Sequence, residues 1–158
     1  MIADRCCGGY ASGMEEIKMV KLLIGKKGTG KTKALLEQVN AASSVAKGNV
    51  VFISNNISSA MFDIPRNVRM TDTSEFDIVN YSEFEGFICG IISGNYDITN
   101  IFVDGLFKIV ANDNTDDLDG LENFLNRLEA ISTKFNIMFV LTLCIDADEA
   151  PDYVKRLV

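Results

Sequence analysis

Residues 25–32 read Gly-Lys-Lys-Gly-Thr-Gly-Lys-Thr and satisfy the pattern G-x-x-x-x-G-K-[ST] at every fixed position. Glycines at this spacing let the backbone wrap closely, so that successive N–H groups converge on the oxygens of an anion. An apolar run, Met19–Ile24, precedes the segment, and a stretch of helical composition, Lys31–Ala42, follows it. The positive end of that helix adds to the field at the loop. Lys31 is placed to reach the outer phosphates of a nucleotide as a point charge, and the Thr32 hydroxyl to ligate Mg²⁺. Gly25, Lys26, Lys27, Gly28, Thr29, Gly30, Lys31 and Thr32 are therefore the candidate phosphate-binding residues. A glycine-rich turn carrying lysines for solubility would share the composition, but not every position and both flanks.

A site of this kind needs a carboxylate at the carboxyl edge of a sheet, close to the loop, to hold the metal ion and its water. Ile101-Phe102-Val103-Asp104 is an apolar run ending in such a group. Thr32 and Asp104 are the candidate metal ligands, and Lys31 and Asp104 the candidate catalytic pair. The alternative is that Asp104 merely caps the turn into Leu106–Val110. Other chemistries are excluded by residue type. The sequence has no histidine, which removes Ser/His/Asp and Cys/His nucleophiles and every His-dependent metal site. Of its four cysteines, Cys6 and Cys7 are adjacent, Cys89 and Cys144 stand alone, and none forms a CxxC pair.

The elements that must position these residues are legible as alternating periods. Met19–Ile24, Asn49–Ser54, Asn100–Asp104 and Asn136–Leu143 are β-branched and aromatic runs, apolar on successive positions, as strands buried on both faces require. Val68–Met70 is a short further strand inside Asn55–Tyr81, the least patterned segment. Ser82–Ser93 carries Phe84, Phe87, Ile88, Ile91 and Ile92 on one helical stripe, with Ser82 and Glu85 as a capping box and Gly94 as the stop. Cys89 falls on or near that stripe and is expected in the core. Leu118, Leu121, Leu125 and Leu128 form a second stripe, and a last short helix fits Pro151–Leu157. Strand and helix in alternation predict an α/β fold, a three-layer, doubly wound, mainly parallel sheet of four to five strands. Residues 1–16 show no periodicity and are expected to be a disordered extension, with Met14 or Met19 an equal candidate start. Residues 17–158 are expected to form one nucleotide-binding domain, since 158 residues suffice for a single core without staples.

The loop and the hhhD run resemble those of the P-loop NTPases, where they are the Walker A and Walker B motifs. The GxxGTGKT form is similar to the helicase-like and AAA-type ATPase branch, although small-molecule P-loop kinases share its core. The runs GKKGTGKTKALLEQVN, NYDITNIFVDGLFKIV and FNIMFVLTL also resemble a family of small clostridial P-loop proteins often labelled twitching-motility ATPase. Pilus-retraction ATPases use histidine boxes, which this sequence lacks. The resemblance implies ATP and Mg²⁺ as ligands, and no Asn-Lys-x-Asp tetrapeptide is present to read guanine. It also implies a glutamate after the Walker B Asp or after the second strand, whereas Gly105 follows Asp104 and Asn55-Asn56 follow Ser54. Asn55 could position a water but not take its proton. Thr142 stands where a polar sensor of the γ-phosphate is usual, and is equally a strand threonine.

Charge sharpens the ligand class. Residues 1–70 hold ten Lys/Arg against five Asp/Glu, and residues 71–158 five against seventeen, for a total of −7. An acidic chain gives no strong nucleic-acid signal, yet six lysines between Lys18 and Lys33 make a local anion site. No run reaches the ~20 apolar residues of a membrane span and no signal peptide is evident, so a cytoplasmic protein is expected. Three readings stand open: a weak or partner-dependent ATPase; a small-molecule kinase using Arg66 and Arg69 as closing cations; and a regulatory module switched by the nucleotide. A protein partner or a second copy supplying Arg127 or Arg156 is compatible with each.

Overall fold

Along the strand Asn49–Ser54, Val50 and Phe52 pack into one core while Val51 and Ile53 pack into another. This alternation is what a strand covered on both faces must show. The computed structural model describes residues 18–110 and 118–158; the extension expected over residues 1–16 lies outside them. In chain order the strands are β1 (Val20–Ile24), β2 (Asn49–Ser54), β3 (Val68–Asp72), β4 (Ile98–Asp104) and β5 (Met138–Leu143). The helices are α1 (Lys31–Val45), α2 (Tyr81–Ser93), α3 (Leu106–Ile109), α4 (Leu121–Phe135) and α5 (Asp152–Lys155). The strands form one sheet in the order β1-β5-β4-β2-β3, and every pairing is parallel. The architecture is thus the α/β arrangement expected from the sequence, and the short run at Val68 proves to be a full edge strand.

Helices cover both faces of the sheet. On one side α1 buries Leu35 and Val39 against Val50, Phe52, Phe102 and Val140, with Ala60 and Ile64 filling the margin. On the other, α2 contributes Phe84, Ile88 and Ile92, and α4 contributes Leu121, Phe124, Leu125 and Leu128, over Val51, Ile53, Ile101, Val103, Phe139 and Leu141. Each fully buried side chain of this size contributes about 1.5–3 kcal/mol, so the second face holds most of the hydrophobic stabilisation. α2 and α4 meet through Phe84 and Phe124, with ring centroids 6.0 Å apart. The outer edge of β1 is partly covered, because the Leu22 N–H donates to the Leu157 carbonyl at 2.8 Å.

Two local expectations are corrected. The cap of α2 is Asn80, whose side chain accepts from the Glu83 N–H at 2.8 Å, while the Glu83 carboxylate accepts from the Val79 N–H at 2.8 Å. The expected box, Ser82 with Glu85, begins two residues too late; Glu85 instead pairs with Arg127 of α4 at 2.7 Å. Asn accepts at the cap as well as Ser does, and starting at Asn80 puts Phe84, Ile88 and Ile92 on the sheet. Cys89 is exposed on α2 rather than part of its buried stripe. Among the described residues, no helix is long and apolar enough to cross a membrane.

Replacing Asn80 with Ala is expected to lower stability by about 1 kcal/mol, whereas Ser82→Ala leaves it nearly unchanged. Urea denaturation of the two variants beside the parent checks this; equal losses would return the cap to Ser82.

Candidate functional site

A parallel sheet ends all its strands on one edge, and here that edge carries a row of polar residues. Register pairs Leu23 of β1 with Thr142 of β5, and Ser54 of β2 with both Asp104 of β4 and Asp72 of β3. Asp104 and Thr142 each follow the pair Val103–Leu141 by one residue. Phe52, Phe102 and Val140 two residues earlier all face α1, so by the period of two Ser54, Asp104 and Thr142 share that face. The start of α1 and the glycine-rich loop lie over the same edge.

The loop is arranged around its lysine. The Lys31 ammonium donates to the carbonyls of Gly25 at 2.9 Å and Lys26 at 2.8 Å, and Thr29 Oγ1 donates to the same Lys26 carbonyl at 2.7 Å. Gly30 enters α1 at φ 84°, a left-handed conformation suited to glycine. No side chain caps α1, which leaves its first N–H groups for an anion. Lys26 points away from the helix start and pairs with Asp146 at 3.1 Å. The Asp146 carboxyl is held below the usual carboxylate range, first by the Asp148 N–H and then by Lys26. Lys26 is correspondingly raised by its hydrogen bond to Asp146. In this arrangement Lys26 ties the loop to the segment after β5.

Opposite the loop, Asp104 is held from two elements. Thr32 Oγ1 of α1 donates to its Oδ1 at 3.2 Å, and Thr142 Oγ1 of β5 donates to the same oxygen at 3.0 Å. Thr142 in turn accepts from the Gly105 N–H at 2.7 Å. Gly105 has φ 76°. The chain reverses there into α3, and a side chain at this position would be strained. The absence of a glutamate after Asp104 thus has a structural reason: the turn requires glycine.

The two walls enclose a cavity of about 530 Å³. The loop and the start of α1 contribute Lys27, Gly28, Gly30, Lys31 and Thr32 to its lining, and the ends of β4 and β5 with α3 contribute Asp104, Gly105, Phe107, Lys108, Thr142 and Cys144. Gly25, Lys26 and Thr29 form the base of the loop and do not line it. Three lysines against one carboxylate give the described lining a net charge of +2, as an anionic ligand requires. Oxygen donors from Thr32 and Asp104 suit Mg²⁺, which binds few protein ligands and completes its shell with water and phosphate. Two adjacent ligands of an octahedral ion at ~2.1 Å stand ~3 Å apart, close to the 3.2 Å between Thr32 and Asp104. Among the described residues no group of three or more acidic or cysteine side chains converges on a metal position.

The other candidates lie elsewhere. Arg66 precedes β3 and Arg69 is its second residue, so both stand toward the amino end of the outermost strand. Arg127 is paired with Glu85, and Arg156 with Glu129 at 2.9 Å near the start of β1. Sequence reasoning missed Lys108, whose only signal was its place four residues after Asp104. It also missed the extension of β3 to Asp72, which caps the following turn through Ser74 at 2.9 Å.

Thr142→Val keeps the shape of a side chain only 2% exposed but removes the hydroxyl between Asp104 and Gly105. We expect a loss of about 1–3 kcal/mol, read by chemical denaturation, with the far-ultraviolet circular dichroism unchanged.

No protein-family model matches the sequence, and no curated protein matches it. Among solved structures the chain is similar to the flagellar accessory protein FlaH from Methanocaldococcus jannaschii, with a TM-score of 0.47 and 15% identity. The superposition covers 87% of this chain and spans 65% of the FlaH chain.

Proposed function

We propose that this protein binds ATP with Mg²⁺ in the cavity at the carboxyl edge of the sheet, and hydrolyses it slowly or only with a partner. The observation that supports this reading is the meeting of Lys31, Thr32 and Asp104 around one cavity, although Thr32 and Asp104 are 72 residues apart. In this reading Lys31 leaves the loop carbonyls for phosphate oxygens, and the loop N–H groups with the uncapped start of α1 hold the remaining charge. Thr32 and Asp104 hold the metal ion, which supplies charge neutralisation on the phosphates.

Slow turnover follows from the lining. Asp104 is the one carboxylate among the described residues of the cavity, and it is committed to the metal. Among the described residues no second carboxylate lines the wall to take a proton from water. The kinase reading loses the cations invoked for it, because Arg66 and Arg69 lie toward the other end of the sheet. The switch reading keeps specific support. Asp104, Thr142 and the Gly105 N–H form a continuous chain into α3, so Asp104 would couple a metal ion it held to that turn.

Calorimetric titration of Mg·ATP into the full chain is expected to show micromolar binding. Lys31→Ala should abolish it, and Thr32→Val should remove its dependence on Mg²⁺. Turnover without a partner should stay below about 10 s⁻¹, the median for enzymes. Absence of binding at millimolar ATP would overturn the reading. ATP and ADP affinities that differ about 100-fold favour the switch, since that ratio supplies about 2.7 kcal/mol of bias.

A further inference from the structure

We infer that Lys108 is a second phosphate-binding cation, one that makes the cavity favour a nucleoside triphosphate over a diphosphate. The inference rests on the reading of the cavity as a Mg·nucleotide site. α3 is a single turn in which Leu106, Phe107 and Ile109 are buried at 0%, 6% and 3% exposure, while Lys108 alone is exposed. A lysine in an otherwise buried turn sits on its one open side, and here that side is the wall of the cavity.

The turn is pinned to the metal-binding residues. The Lys108 N–H donates to the Gly105 carbonyl at 3.0 Å, and the Gly105 N–H donates to Thr142, which donates to Asp104. The lysine stem lies back across Gly105, its Cδ 3.5 Å from where a β-carbon would stand. The stem therefore lies against the residue that follows Asp104, and Lys108 lines the cavity together with Asp104. Among the described residues no carboxylate is paired with Lys108, whereas Lys26, Arg127 and Arg156 each have an acidic partner.

Charge then separates the two ligands. Lys31 and the loop N–H groups stand on one wall and serve any phosphate seated in the loop. Lys108 enters the same cavity from α3, the turn that follows Asp104. ATP with one Mg²⁺ carries a charge of about −2, and the lining of Lys27, Lys31, Lys108 and Asp104 carries +2. Mg·ADP carries about −1, which the same lining without Lys108 would match. Lys108 thus supplies in cis the closing cation that Arg66, Arg69, Arg127 and Arg156 do not provide. Its contribution is one charge-assisted contact to the additional phosphate.

The test is calorimetric titration of Mg·ATP and Mg·ADP into the full chain, the Lys108→Met, Lys108→Gln and Lys108→Arg variants, and Lys31→Met. Methionine keeps the stem over Gly105 and removes only the charge; glutamine serves if methionine lowers solubility. The expected result is an Mg·ATP affinity reduced about tenfold by Lys108→Met, with Mg·ADP changed less than about twofold and arginine restoring the parent ratio. Lys31→Met should weaken both ligands. Equal losses for ATP and ADP, or no loss, would overturn the role of Lys108 while leaving the nucleotide site standing. Failure of the parent chain to bind either ligand overturns the site itself and this inference with it.

Discussion

The carboxylate of Asp104 accepts hydrogen bonds from two hydroxyls, Thr32 at the start of α1 and Thr142 at the end of β5. That arrangement joins the sheet to a covering helix at the point where the cavity opens. It depends on the strand order. β5 lies between β1 and β4, so a strand end carrying Thr142 separates the loop after β1 from Asp104. A valine at 142 would leave the Gly105 N–H without its acceptor and the turn into α3 without its anchor. Short polar residues at the ends of adjacent parallel strands are thus what turn a sheet edge into a site.

The division of labour between the two faces suits this arrangement. The apolar faces of α2 and α4 share the larger core with α3 and α5. α1 fully buries only Leu35 and Val39. Its first turn remains accessible, with Thr32 exposed and Lys31 half-buried. α1 itself packs across β1, β2, β4 and β5, so the backbone freedom at this edge belongs to the glycine-rich loop before it. The Lys26–Asp146 pair links that loop to the segment after β5 at a solvent-exposed position. Such a pair adds little to stability and weakens in salt, so it restrains the loop without locking it.

Much of this is legible in the sequence itself. The strand Asn49–Ser54 was legible to the residue because its apolar run begins after Gly48 and stops at a polar pair, Asn55-Asn56. β3 was legible only in part. Val68 and Met70 face the α1 core and mark the short strand Val68–Met70, but Thr71 and Asp72 read as loop. An edge strand tolerates polar residues, so its pattern is weak. The cap of α2 was misplaced because Ser82 and Asn80 both begin capping boxes two residues apart, and only packing on the sheet selects between them. Cys89 shows the same limit, for a stripe defined by five apolar residues spans more of the helix than the sheet covers.

What the sequence determined by itself was local. Glycine spacing, the lysine and threonine after it, and the alternating periods follow from φ/ψ freedom, hydrogen-bonding capacity and side-chain burial, all properties of short segments. Thr32 and Asp104 were individually visible for that reason. Their 3.2 Å approach, the bridging hydroxyl of Thr142 and the placement of Lys108 in the cavity lining were decided by tertiary structure alone. Each depends on strand order and register, which are set by the packing of both faces at once and leave no signature in any window of the chain. The same reason moved Arg66 and Arg69 out of consideration. Their charge was plain in the sequence, but which end of the sheet they occupy is a property of the fold.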